Sequence, residues 1–354
     1  MVGYGGAKAP PCIEKVDKMR RYIIKRLMLG VVILFGIILI TFTLTQVLPA
    51  DPAQKWVGDK ATEEQIEAAR KALGLDDPLP KQFLNYVIKL LHGNLGYSFQ
   101  THRMVTDELK EAIPATMELI IMAIIVGIII GITFGVYSAK YKGRLADHII
   151  RFINIGGISL PSFWTALALQ IVFYGILHIL PLGGRLSTDI TVLYNIPHIT
   201  GMIIFDSLIT GNWIILKDAL VHIILPTIPL CLYPAGVVAR MTRSSLLEVL
   251  GEDYIMAERS YGIKESFILW HYALKNTMGA TVTVVALTIG YMLTSTFLIE
   301  SIFSWPGIGK YISDAIMSLD YPAIMGVTLF SAVMYLLLNL IADLIIAMDP
   351  RIRV

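Results

Sequence analysis

Four stretches carry residue types that could do chemistry, and each can be weighed on its spacing. Trp305-Pro306-Gly307-Ile308-Gly309-Lys310 has the outline of a phosphate-cradling loop. Such a loop needs a Gly where Ser304 stands and a Ser or Thr where Tyr311 stands. The expectation is therefore structural: a Pro-Gly turn and a short helix that plug the outer ends of the neighbouring apolar segments. Gly157-Ile158-Ser159-Leu160 offers a serine but lacks the second Gly of a strained nucleophile turn. No His-Glu-x-x-His is present for zinc, and the two cysteines, Cys12 and Cys231, are too few and too unlike in setting for a disulfide framework or a metal site. The fourth stretch, 239–276, is the densest run of mixed charge in the second half of the chain. Arg240, Arg243, Arg259, Lys264 and Lys275 meet Glu248, Glu252, Asp253, Glu258 and Glu265. Glu252-Asp253-Tyr254 opens a short helix and Gly262 closes it, because acids suit the positive helix end and Gly accepts a left-handed terminus. Tyr254, Ile255, Ala257 and Tyr261 fall near one face at helical spacing. A capped helix between two apolar segments either offers a surface to a soluble partner or is a plain solvated connection. The pattern alone leaves both open.

The elements that must hold these residues are membrane helices. The chain is 55% hydrophobic and only 16% charged, with a mean hydropathy of +0.67, far from the balance of an ordinary soluble domain. A net charge of +2 without a basic patch interleaved with aromatics gives no reason to expect nucleic acid. Apolar stretches at 27–48, which holds no charge, and at 114–139, 152–177, 219–239, 277–299 and 323–347 are each long enough to cross a hydrocarbon core of roughly 30 Å. The first is read as an uncleaved helix. Its apolar part is longer than a signal peptide's, and it ends in Leu48-Pro49-Ala50-Asp51-Pro52 rather than a small-residue cleavage site. Residues 1–26 before it form a polar tail. Residues 49–113 form a polar insert in which Thr62-Glu63-Glu64 caps a helix to Leu73 that Gly74 ends, with a second helix over 80–91. Segment 190–216 is apolar but carries Pro197, His198 and Asp206. It is either a seventh crossing or a piece lying at the interface or folded back into the protein.

Charge counting along the chain favours six crossings with both termini cytoplasmic. That arrangement places seven Lys or Arg of the tail, four around 140–151, five in the charged loop, and Arg351 and Arg353 on the inner side. The short outer loops then keep Arg185, Lys217 and Lys310. A seventh crossing would invert the charged loop and the C-terminus. Glu118, His178, Asp218, His222, Glu300 and Asp343 all lie near span ends, where a local partner is the plain explanation. A carrier driven by protons or sodium needs titratable groups nearer the midplane. The span 219–239 carries Pro226, Pro229 and Pro234, which free backbone carbonyls. It is either kinked for packing or a hinged, pathway-lining helix that feeds the charged loop.

The charged loop also carries a resemblance. Asp253-Tyr254-Ile255-Met256-Ala257-Glu258-Arg259-Ser260-Tyr261-Gly262 resembles the cytoplasmic loop of permease subunits of binding-protein-dependent ABC importers, most of all the first permease of the dipeptide, oligopeptide and nickel group. The likeness extends over nearly the whole chain. Leu48-Pro49-Ala50-Asp51-Pro52-Ala53, Leu73-Gly74-Leu75-Asp76-Asp77-Pro78-Leu79, Gly93-Asn94-Leu95-Gly96-Tyr97-Ser98 and Pro114-Ala115-Thr116-Met117-Glu118-Leu119 are similar to the N-terminal half. Ser159-Leu160-Pro161-Ser162-Phe163-Trp164, His222-Ile223-Ile224-Leu225-Pro226 and Ala239-Arg240-Met241-Thr242-Arg243-Ser244-Ser245 are similar to the centre. Phe303-Ser304-Trp305-Pro306-Gly307-Ile308-Gly309, Asp320-Tyr321-Pro322 and Asp349-Pro350-Arg351-Ile352-Arg353 are similar to the end. Each motif is weak alone; their order and spacing are specific.

The resemblance implies an all-α type I ABC importer permease fold with six transmembrane helices, a large external insert between helices 1 and 2, and residence in a prokaryotic plasma membrane. Residues 1–113 would be tail, first span and insert, and 114–354 a five-helix core with a coupling loop at 240–276. It further implies a heterodimer with a second permease, two ATP-binding subunits and an extracytoplasmic substrate-binding protein, all in membrane lipid, with no cofactor and no catalysis in this chain. Glu252, Asp253, Tyr254, Met256, Ala257, Glu258, Arg259 and Gly262 would form the coupling helix that docks on an ATP-binding subunit. Met256 stands where the peptide group usually has a base and Glu258 where it has a small residue. The likeness thus carries the docking but not a charge pairing. Pro226, Pro229, Pro234, Ser159 and Pro161 are the pathway and gating candidates. The substrate the resemblance implies is a dipeptide or oligopeptide, with oligosaccharides or nickel, which importers of the same architecture carry, as the alternative. A channel or scaffold needing no ATPase is the reading from a different class, and an intramembrane enzyme is disfavoured by the missing motifs.

Overall fold

Long apolar helices dominate the architecture, two of them running through internal prolines. The computed structural model describes residues 11–47, 51–58 and 60–348. The start of the tail with Lys8, the motif residues Leu48 to Ala50, and the terminal motif with Arg351 and Arg353 lie outside the described residues. In chain order the helices are α1 (Pro11–Val47), α2 (Pro52–Val57), α3 (Glu63–Leu73), α4 (Leu79–Leu91), α5 (Val105–Lys140), α6 (Leu145–Ser159) and α7 (Ser162–Ile176). They continue with α8 (Thr188–Leu193), α9 (Ile203–Thr210), α10 (Trp213–Val249), α11 (Asp253–Ser260), α12 (Glu265–Ile302), α13 (Ile308–Ser318) and α14 (Tyr321–Met348). Both α7 and α12 contain one wide, π-type stretch, at Ile171–Ile176 and Ile268–Ala273. The sole β feature among the described residues is an isolated bridge between Tyr97 and Met104.

Five helices are long and apolar enough to cross a membrane: α1, α5, α10, α12 and α14. The sixth expected crossing, 152–177, is not one rod. Helices α6 and α7 meet at 103°, and at about 1.5 Å per residue neither half spans a bilayer alone. Pro161 supplies the break, since a residue before proline is pushed out of the helical region and Leu160 sits extended at φ −78°, ψ 132°. The polar tail also differs from expectation. Helix α1 already begins at Pro11, whose fixed φ and missing N–H suit a first helical position, and no Gly or Pro interrupts the chain until Gly30. Likewise α5 begins at Val105 and runs through Pro114 rather than starting there.

In the insert the local signals hold. The side chains of Thr62 and Gln65 cap α3 reciprocally, and Gly74 ends it at φ 71°. Phe83 on α4 meets Phe35 and Phe42 of α1 edge-on, at 6.2 and 5.2 Å between ring centres, which fixes the insert to the first span.

Segment 190–216 does not cross. It holds the end of short α8, all of α9 and the first turn of α10, and α9 spans only about 12 Å at helical rise. Its loop folds around Asp206, which accepts from the backbone N–H of Ile199, Thr200 and Gly201 at 3.0 Å each and from the Thr200 hydroxyl at 2.7 Å. Glu118 on α5 then holds the segment in place. It accepts from Arg185 Nη2 at 2.5 Å and from Ile204 N–H at 2.6 Å.

The centre is α10, which packs along α5 and α12. The close approach to α5 has a clear cause. Gly127, Gly131 and Gly135 repeat every fourth residue and so share one face. A Cβ on Gly131 would lie 2.7 Å from the Val238 Cβ, and one on Gly135 would lie 2.6 Å from the Thr242 Cβ. Only hydrogen fits there.

Candidate functional site

Helix α11 carries a single buried residue. Ile255 is fully buried, in a cluster with Val136 and Ala139 at the end of α5, Leu246 near the end of α10, and Ile268, Leu269 and Ala273 at the start of α12. From Glu252 to Gly262 every other residue is exposed except half-buried Glu258. The expected shared face of Tyr254, Ile255, Ala257 and Tyr261 is therefore corrected. Successive residues are about 100° apart, so Ile255 points away from the outward stripe of Tyr254, Ala257 and Tyr261. Tyr261 is 83% exposed and Met256 50%, an apolar surface open to a partner.

One backbone turn and two side-chain contacts fix the pose of α11. Gly262 takes φ 75°, the left-handed turn that ends the helix, with no atom near where a Cβ would stand. Arg259 Nε and Nη2 donate to Glu265 at 3.1 and 2.8 Å. That hydrogen bonding pushes the Arg259 guanidinium above its ordinary pKa, so its charge is already matched within the chain. Asn276 Nδ2 donates to the Tyr254 hydroxyl at 2.7 Å, tying the helix to α12.

Above this joint lies a polar clamp that sequence reading missed. Asp147 at the start of α6 is almost fully buried and accepts from Arg243 of α10 through both oxygens, at 3.0 and 2.9 Å. It also accepts from the Ser138 hydroxyl of α5 at 2.5 Å and from Gly143 N–H at 3.0 Å. One carboxylate thus joins α5, α6, α10 and their connecting turn. Nothing in the spacing of Asp147 and Arg243, ninety-six residues apart, announces the pair.

Farther along α10, a cavity of about 170 Å³ opens at the α6–α7 bend. Ser159, Pro161 and Ser162 line it from the bend, Pro229 and Tyr233 from α10, and Tyr291 and Ser295 from α12. The Tyr233 and Tyr291 rings lie 4.1 Å apart across it. Of the five pathway candidates the structure brings together Ser159, Pro161 and Pro229. Pro226 and Pro234 are buried, and Pro234 Cγ would stand 3.0 Å from a Cβ on Gly127 of α5. Tyr233, Tyr291 and Ser295 were not singled out in the sequence; a polar or aromatic residue at helical spacing inside an otherwise apolar span is the signal that could have found them.

The phosphate-loop lookalike is closed to phosphate. Glu300 accepts from Gly309 N–H at 2.6 Å and from the Thr116 hydroxyl at 2.7 Å, and Ile308 N–H donates to Thr116 Oγ1 at 2.8 Å. Buried Trp305 donates its indole N–H to the Ala115 carbonyl at 2.8 Å. The turn and α13 are docked onto α5 as a structural plug. Among the described residues no three His, Cys, Asp or Glu gather to hold a metal ion.

Comparison with known proteins matches residues 131–354 to the family described as binding-protein-dependent transport system inner membrane component. Residues 19–120 match the N-terminal model of the same kind of membrane component. The chain is 42% identical over 323 residues to a probable D,D-dipeptide transport system permease protein of Escherichia coli K12, covering 91% of this chain and 94% of that one. It is 39% identical to a di/tripeptide transport system permease protein of Pseudomonas aeruginosa, covering 95% and 99%. It is 32% identical to a glutathione transport system permease protein of Escherichia coli O6:H1, covering 95% and 99%. Among solved structures, a chain of the inward-facing MetNI methionine ABC transporter aligns with a TM-score of 0.45 at 16% identity, over 66% of this chain and 93% of that one.

Proposed function

The chain belongs to the inner membrane components of binding-protein-dependent transport systems, and on that premise we propose that it forms half of a pathway for short peptides, switched by force applied to α11. It is a multi-pass prokaryotic membrane protein and a permease subunit of an ABC importer. The peptide reading is supported by the relatives, whose names specify D,D-dipeptide, di/tripeptide and glutathione.

The single observation that carries the mechanism is the mounting of α11: one buried peg, Ile255, and an exposed remainder. In the proposed assembly a second permease completes the pathway, an extracytoplasmic binding protein delivers substrate, and two ATP-binding subunits hydrolyse ATP. Glu252, Asp253, Tyr254, Met256, Ala257, Glu258, Arg259 and Gly262 form the coupling surface. Ile255 passes the movement to the ends of α5, α10 and α12 together, and the Asp147–Arg243 clamp extends it to α6. The rods then tilt as units between two arrangements. Ser159, Pro161 and Pro229 line the route at the bend, while Pro226 and Pro234 set the seating of α10 against α5. With cytoplasmic termini, α11 faces the cytosol and the insert faces outward.

Affinity purification tests the assembly. The tagged chain is expected to bring down two ATP-binding subunits and a second permease. Ala257→Trp, which fills an exposed contact surface without touching the fold, should lose the ATP-binding subunits and keep the permease. Recovery of the native chain alone, or unchanged recovery with Ala257→Trp, contradicts the proposal.

A further inference from the structure

The second long helix of the insert sits deeper than its place in a polar segment would require. Phe83 of α4 packs edge-on against both Phe35 and Phe42 of α1, at 6.2 and 5.2 Å between ring centres, and Tyr86 stacks on Phe42 at 6.2 Å. Phe35 and Phe42 belong to the apolar part of α1, Ile23–Leu44, whose 22 residues fill a hydrocarbon core of roughly 30 Å. The two rings are two helical turns apart, so Phe83 is level with the turn between them, about 8 Å along the axis from the Leu44 end at 1.5 Å per residue. Helical side chains lean toward the N-terminus, which carries both α1 rings deeper still. Phe83 thus stands inside the apolar layer and not above it.

The rest of α4 is built for that depth. Phe83 and Tyr86 turn toward α1. At about 100° per residue, Leu84, Ile88 and Leu91 fall to one side of that face and Lys81, Asn85 and Lys89 to the other. All six are exposed, the three aliphatics by 58%, 43% and 81%. The helix has 13 residues, about 20 Å, and is too short to cross a bilayer. One apolar flank, one basic flank and that length suit a helix lying in the plane of the interface. Such a helix buries its apolar side about 5–10 Å into the boundary between headgroups and acyl chains, the depth that Phe83 marks.

Hydrocarbon is the occupant the surroundings specify. The stripe adjoins the apolar part of α1, of whose most apolar stretch only 6% is buried. On the other flank, Lys81 and Lys89 carry charge on long apolar stems, which lets the ammonium stay at headgroup level while the stem lies along apolar surface. Lys81 is met there by Asp77 at 2.8 Å. We propose that α4 is an in-plane membrane contact: Leu84, Ile88 and Leu91 sit among the lipid acyl chains of the leaflet at the Leu44 end of α1, with Lys81 and Lys89 at its headgroups. The insert is then held at a fixed height by lipid as well as by α1. This rests on α1 as a membrane span and not on the transport reading.

Nitroxide labels test the depth in the full chain, purified into lipid nanodiscs with the subunits that accompany it. In a Cys12→Ser, Cys231→Ala background, labels are attached through Leu84→Cys, Ile88→Cys, Lys81→Cys or Lys89→Cys, with Leu39→Cys on α1 as the reference for a span. Oxygen concentrates among acyl chains and a water-soluble nickel chelate does not, so the ratio of collisions with each reads depth. Oxygen should dominate at Leu39, Leu84 and Ile88, and the chelate at Lys81 and Lys89. Chelate dominance at Leu84 and Ile88, with oxygen dominant at Leu39, overturns the proposal and leaves the span and the importer reading standing. Poor access to both reagents at Leu84 and Ile88 overturns it as well, because a protein partner then covers the stripe. Hydrogen exchange gives an independent reading. Leu84→Asp combined with Leu91→Asp places two carboxylates on the lipid side, so the α4 amides should exchange about tenfold faster or more in the bilayer while the core of α5 keeps its protection. An unchanged α4 rate contradicts the lipid contact.

Discussion

Single residues decide how the moving parts are attached. Ile255 is the sole buried contact of α11, and Ile255→Ala removes about 2–5 kcal/mol of packing from that joint. Hydrogen exchange of the α11 amides should then speed at least tenfold while the cores of α5 and α10 keep their protection; unchanged exchange would contradict the peg. Asp206 makes a different prediction. Burial works to raise its pKa, but the Thr200 hydroxyl and the N–H groups of Ile199, Thr200 and Gly201 outweigh burial and hold it below the usual aspartate value. A depressed folded pKa stabilises fully above the unfolded value of about 3.9 and loses that contribution as pH falls through the lower folded value. Asp206→Asn should therefore lower the unfolding midpoint at neutral pH and flatten its fall below pH 4. An acid limb as steep as the native one would count against this role.

At the scale of elements, what the sequence made legible was whatever depended on neighbours along the chain. The apolar runs located α1, α5, α10, α12 and α14, and Thr62 with Gly74 bounded α3. The left-handed Gly262 closed α11 where the turn chemistry required. Three-dimensional closure was hidden. Pro161 was visible in the chain, but the 103° angle it permits depends on where α7 can pack. Arg243 read as one charge of the stretch 239–276, and Asp147 gave no signal until the fold paired the two. The Gly127, Gly131 and Gly135 repeat was legible in principle, since small residues at four-residue spacing are what a close helix crossing in lipid needs. Gly131→Val should separate α5 from α10 and lower the unfolding midpoint, overpacking of this kind amounting to about 1–3 kcal/mol. Gly36→Ala is the control. No atom lies within 4 Å of its Cβ position, so its midpoint should hold or rise.

For the whole molecule the account reduces to a lever. Three carboxylates buried near span ends are locally paired: Glu118 with Arg185, Asp147 with Arg243, and Glu300 with Thr116 and Gly309. Among the described residues these groups are tied up in local contacts, and the switch proposed for the molecule is α11. Gly262→Val tests this most directly. A β-branched residue at φ 75° strains the end of α11 by about 1–2 kcal/mol without meeting any neighbour, so the fold should survive while the pose of the lever changes. The decisive measurement is the ratio of dipeptide accumulated to ATP hydrolysed in proteoliposomes holding this chain, its second permease, the ATP-binding subunits and the binding protein. The account predicts accumulation by the native complex only with ATP, and a ratio reduced at least tenfold in Gly262→Val with hydrolysis persisting. A native ratio in that variant, or accumulation by this chain without nucleotide, would contradict it.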